Sequence, residues 1–128
     1  MADPSPYRNV EQVALDVCAD LFAADHLGTS TPDNLEQRLP FLRVRRIGGY
    51  DADPFTDRAR ISVDVFAGSY ADGVAKAEAV RQRYRSGPYP FDRVDTVTGP
   101  VETPWSDGSD VRRWTATYLM SSRRSAAS

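Results

Sequence analysis

At 128 residues the chain has the length of one domain, and a compact chain of this size buries about two thirds of its unfolded surface, enough for one core without staples. With 41% hydrophobic and 27% charged residues it reads as an ordinary globular chain. A single cysteine and a single histidine exclude a disulfide framework, a cysteine-rich zinc site and most metal or acid–base arrangements, and a net charge of −2 excludes a polycation built to coat nucleic acid.

The first nine residues carry two prolines and no periodicity, so they read as a flexible lead, and MADPSPYRN lacks the basic start and apolar stretch of a secretory signal. No apolar run approaches the ~18–20 residues of a membrane span. From Val10 onward Val13, Ala14, Val17, Cys18, Leu21 and Phe22 recur at steps of three and four, which predicts a helix over 10–25. Asn9 with Gln12 fits a capping box. Thr31-Pro32 with Leu35 and Leu39 predicts a short helical turn before Pro40. Phe41 to Ile47 reads as a strand ended by Gly48-Gly49, with Phe41, Arg43, Arg45 and Ile47 on one face and Leu42, Val44 and Arg46 on the other. A polar loop, 50–57, then leads to a clearer strand, 58–67, in which Ile61, Val63 and Val65 oppose Arg60, Ser62 and Asp64.

Ser69 and Asp72 predict the cap of a second helix, which Gly87-Pro88 stops. Val74, Ala77, Val80 and Tyr84 form its apolar stripe, and Gly73 is the residue out of character, costing about 1 kcal/mol against alanine. A mixed edge strand over 93–98, a loop over 99–110 and a last strand over 111–121 follow. In that strand Trp114, Ala116, Tyr118 and Met120 share a face. Residues 122–128 read as a loose tail. The order α-β-β-α-β-β predicts an α+β domain over residues 10–121, with two helices packed on one face of a four-stranded antiparallel sheet.

Few residues suggest chemistry. His26, beside Asp25, reads as a solvent-facing helix end, and Cys18 as a buried hydrophobe. Asp51, Asp53 and Asp57 lack the spacing of a calcium loop. Asp64, Lys76 and Glu78 resemble a scrambled nuclease set, but the lysine sits on a helix. No phosphate-cradling glycine loop is present. The expectation is therefore a protein without catalytic, cofactor or metal residues. What remains is arginine: fifteen against one lysine. Neighbours on a strand point to opposite faces, so at most one member of Arg45-Arg46 and one of Arg112-Arg113 is forced toward the helices, where it must be paired or lie near the sheet end. Tyr50, Phe55, Tyr89 and Trp105 fall in the predicted loops, as aromatics at a protein interface would, or else fold back over the small core.

Three stretches resemble the tail terminator (tail completion) proteins of long-tailed phages, especially those of GC-rich actinobacteria. They are Leu39-Pro40-Phe41-Leu42-Arg43-Val44 leading to Gly48-Gly49, the strand Ile61 to Phe66 with the helix containing Ala77, Val80 and Arg81, and the closing Trp114 to Tyr118. The resemblance covers most of residues 9–122. It implies an α+β fold and a homohexameric ring that caps the tail tube, ends its polymerisation and gives the head a docking surface. It further implies a place in the virion after assembly in the host cytoplasm, no cofactor and no membrane. The implied partners are tube protein, the head–tail connector or stopper, and genomic DNA passing through the lumen without sequence recognition. Under that reading Arg45, Arg46, Arg112 and Arg113 are candidates for the channel lining, and Tyr50, Phe55, Tyr89 and Trp105 for the protein interface. The alternatives are a neck protein that completes the head connector, and a stand-alone module binding a small ligand or peptide on the sheet.

Overall fold

Alternation along the strands gives this molecule its layers. The computed structural model describes residues 9–53, 56–86, 91–105 and 110–123. Its order is α1 (Val10–Val17), a 3-10 turn (Ala19–Leu21), β1 (Leu27–Gly28), a second 3-10 turn (Leu35–Gln37), β2 (Phe41–Asp53), β3 (Thr56–Ala67), α2 (Tyr70–Ser86), β4 (Arg93–Thr103) and β5 (Arg112–Arg123). The α+β class holds, but the sheet has five strands in the order β1-β2-β3-β5-β4 and is mixed rather than four-stranded and antiparallel. The extra strand is β1, which pairs parallel to β2 through Leu27 opposite Leu42 and Gly28 opposite Arg43. Asp25 turns the chain at φ 65°, and the Leu42 amide donates to the His26 carbonyl at 2.9 Å. Two residues carry no periodic signal, so only the neighbouring strand reveals β1.

The first helix also differs from its prediction. Gln12 N–H donates to the Asn9 side chain at 3.2 Å, as a cap requires, whereas the Gln12 side chain turns forward to Asp16 instead of back. α-Helical bonding stops at Val17, and the stripe continues as a tighter turn that still buries Cys18 and Phe22. His26 consequently lies beyond the helix, partly buried, with Nδ1 3.2 Å from the Pro40 carbonyl. The second helix runs over Tyr70–Ser86 with the predicted cap, the Asp72 amide donating to Ser69 Oγ at 3.2 Å, while its predicted stop at Gly87-Pro88 lies outside the described residues.

The strands run longer than their patterns suggest. β2 continues to Asp53 and β3 begins at Thr56, so the long exposed connection expected at 50–57 is mostly hairpin. Gly48-Gly49 is no turn. Both glycines lie inside β2 at a bulge between Arg46 and Gly48, and Gly49 (φ 130°) lies so close to β3 that a Cβ there would sit 2.1 Å from the Arg58 carbonyl oxygen. β4 likewise extends to Thr103, through irregularities around Val97 and Gly99-Pro100. β5 takes in Ser122 and Arg123, the start of the predicted tail. Residues 1–8 of the lead and 124–128 of the tail lie outside the described residues.

Both helices pack on one face of the sheet. Val10, Ala14, Cys18 and Phe22, with Ala77, Val80 and Tyr84, form one core with Leu42, Val44, Ile61, Val63, Val65, Ala116, Tyr118 and Met120, α1 lying on β2 and α2 on β3, β4 and β5. The Tyr84 hydroxyl donates to the Ala14 carbonyl at 2.9 Å and ties the two helices together. Burial pushes the Cys18 thiol up to about 11, consistent with a core residue rather than a nucleophile. Gly73 is explained by packing. A Cβ there would fall 1.9 Å from Trp114 Cζ3, so α2 rests directly on the indole and only glycine fits.

Candidate functional site

The sheet's second face, away from the helices, divides into a covered end and an open end. At the covered end Leu35, Phe41, Phe66 and Val111 form a small second core against Leu39 and Trp105. The Trp105 ring meets Phe66 edge-on at 4.9 Å, and the Arg43 and Arg113 guanidiniums lie 5.8 and 5.3 Å from its centroid. Trp105 therefore folds back over the core, the alternative to an interface role. It also closes one side of a polar cleft of about 320 Å³ lined by residues 31–37.

One row further on, Arg43 donates through Nε and its terminal nitrogen to Asp64 Oδ2 at 3.1 and 2.8 Å, and Thr115 Oγ1 donates to Asp64 Oδ1 at 2.7 Å. Asp64 is only 2% exposed, so this set fills a carboxylate that would otherwise be buried unpaired. The next row, Arg45–Ser62–Thr117–Thr98, begins the open end, followed by Arg60–Leu119–Asp95 and by Tyr50–Arg58–Ser121–Arg93. Arg45, Arg60, Arg93 and Tyr50 are exposed, and Arg58 and Leu119 half-buried.

This layout sorts the candidate arginines. Arg46 and Arg112 lie on the helix side, each held by a carboxylate. Arg46 bonds both Asp57 oxygens at 2.7 Å, and Arg112 bonds Glu102 at 2.6 and 2.9 Å while lying over the Tyr70 and Trp114 rings. The expectation that the helix-side member of each pair is paired is met. Arg45 and Arg113 take the other face. Arg45 reaches Asp64 at 3.9 Å, and Arg113 donates to the Pro104 carbonyl at 2.9 Å. Arg58 and Arg60, which sequence reasoning did not nominate, have no ion pair among the described residues. Their signal was available: both alternate with Ala59, Ile61 and Val63, so they had to face away from the helices.

Of the candidate interface aromatics, Tyr50 is 54% exposed on a strand rather than in a loop, while Phe55 and Tyr89 lie outside the described residues. Chemistry-bearing residues are not brought together. Asp64 faces away from α2, Glu78 pairs with Arg81 at 3.6 Å, and Lys76 donates to the Leu21 carbonyl beside the Phe22 ring. Asp57 is occupied by Arg46, and no three metal-ligating side chains cluster among the described residues.

The sheet's outer strands offer two edges. Among the described residues, β4 has no strand along its outer side, and the outer side of β2 is paired only at Leu42 and Arg43. Glu11 accepts the Arg46 amide at 2.8 Å and so closes one further position. Exposed apolar side chains stand on both strands: Ile47 and Tyr50 on β2, Val97 and Val101 on β4. Compared with protein-family models and with curated proteins, the sequence matches none.

Proposed function

We propose that this chain is a structural ring protein, a phage tail terminator whose copies associate edge to edge to cap the tail tube and present a surface to the head. The observation that carries the proposal is the polarity of the two free edges. With the order β2-β3-β5-β4 and antiparallel neighbours throughout, β2 and β4 run in opposite directions. A neighbour's β2 laid along β4 therefore continues the antiparallel sheet, and a head-to-tail contact of this kind closes into a ring when the rotation fits. The exposed Ile47, Tyr50, Val97 and Val101 supply apolar surface at these edges. Pro100 and the bulge at Val97 interrupt β4, which restricts pairing to a strand of matching shape and discourages open-ended fibres. Six copies, a seat between tube and connector, and DNA passage through the lumen are what the family resemblance adds.

Native mass measurement over a range of concentrations, alone and with tube protein, tests the proposal. A closed oligomer that caps polymerising tubes at a shortened length is expected, and Ile47→Lys with Val101→Lys should abolish it while leaving the fold intact. A chain that stays monomeric even on tube protein overturns the reading, and binding to the connector but not the tube favours the neck protein.

A further inference from the structure

We propose that the open end of the second sheet face, centred on Arg58, Arg60 and Ser121, is a binding site for phosphate-type oxyanions. The strand arginines with described side chains fall into two groups. Arg43, Arg45, Arg46, Arg93 and Arg112 each have a carboxylate within 4.0 Å, and Arg113 has a backbone carbonyl. Among the described residues Arg58 and Arg60 have neither, although aspartates are plentiful in this chain. They stand two residues apart on one side of β3, about 7 Å from each other along the strand.

Ser121 lies between two of these cations. It is opposite Arg58 on one side and opposite Arg93 on the other. It is 4% exposed, yet among the described residues its Oγ has no hydrogen-bond partner, and neither has the buried Nε of Arg58. Buried donors in folded proteins are normally satisfied. Two guanidinium forks and a hydroxyl donor suit a tetrahedral oxyanion, which offers several acceptor oxygens at once. Two acids on this face, Asp95 and Asp64, are already engaged, with Arg93 at 2.9 Å and with Arg43 at 2.8 Å, and so offset Arg58 and Arg60 less than free carboxylates would. Tyr50, opposite Arg58, adds an exposed ring at the rim. The same oxyanion could arrive as free phosphate or as the backbone of a nucleic acid. The inference rests on this face alone and stands whether or not copies close a ring.

The test is a titration of isotope-labelled protein with inorganic phosphate and, separately, with short DNA duplexes of two unrelated sequences. Amide shifts of Arg58, Arg60 and Ser121 are expected with both ligands. Duplex binding that is tighter than phosphate binding, equal for both sequences and steeply weakened by salt identifies a nucleic-acid backbone. Duplex binding no tighter than phosphate identifies the free ion. Arg58→Gln with Arg60→Gln should weaken binding at least tenfold, Arg58→Lys with Arg60→Lys should retain much of it, and Arg85→Gln on α2 should change nothing. Shifts confined to other residues, or a double glutamine variant that is folded and binds as the wild type does, overturn the proposal. If that variant fails to fold, Ser121→Ala and the wild-type shift map decide. Oligomer mass recorded on the same samples separates this outcome from the fate of the ring reading.

Discussion

The two faces of one sheet bear opposite loads. On the helix side Leu42, Val44, Ile61, Val63, Val65, Ala116, Tyr118 and Met120 form an apolar field, with the Arg46–Asp57 and Arg112–Glu102 pairs at its margins. On the other side a small aromatic cluster gives way to the buried Arg43–Asp64–Thr115 set and then to exposed arginines. Both faces come from the same strands by the same alternation. What differs is cover. Two helices exclude water from one face, while a 3-10 turn and Trp105 shield only the end of the other, so charge is tolerated there in proportion to its access to water or to a carboxylate.

That contrast can be broken hardest where charge is buried. Asp64→Ala leaves Arg43 unpaired beneath the aromatic cluster and should cost about 3–5 kcal/mol in urea unfolding. If the loss is below about 1 kcal/mol, the covered end of the second face is not a core. On the helix side, Gly73→Ala drives a methyl into the Trp114 ring. Despite the better helix propensity of alanine, it should destabilise by about 1–3 kcal/mol and lower the melting temperature.

A titration sharpens the comparison further. The Cys18 thiol is neutral in the folded core with its pKa raised from 9.0 to about 11 by burial, so the unfolded chain loses its proton first. Stability should therefore fall as pH rises from about 9 to about 11, and Cys18→Ala should flatten that limb without removing it. Burial also raises the Tyr84 and Tyr118 hydroxyls, the latter to about 12. The smallest effect belongs to the open end. Arg45, 48% exposed and 3.9 Å from Asp64, should change stability by less than about 0.5 kcal/mol when replaced by alanine.

Legibility followed the same division. The faces of 61–66 and 114–120, the Ser69 cap, the buried Cys18 and the requirement that helix-side arginines be paired were all readable, because each depends on neighbours within a few positions. Gly48-Gly49 misled. A glycine pair marks a turn or a bulge equally well, and only the β3 backbone 2.1 Å from a notional Gly49 Cβ distinguishes them. Gly73 looked like a flaw in its helix for the same reason: the indole that demands it lies 41 residues away in the chain. The arginines of the open end were legible as a pattern but not as a site, since nothing local reveals that Arg58 and Arg60 would find no carboxylate among the described residues.

The chain alone thus determined its periodicities, its helix starts, most of its core and the side of the sheet each residue would take. Those properties arise from backbone geometry and from the repeat of apolar side chains, which act over a few residues. The tertiary structure decided that β1 joins the edge, that Trp105 turns inward, which arginines meet a carboxylate and which strand edges are open among the described residues. These are outcomes of packing between distant segments, where coverage by another element, rather than any local preference, decides whether a side chain meets water, a counter-charge or neither.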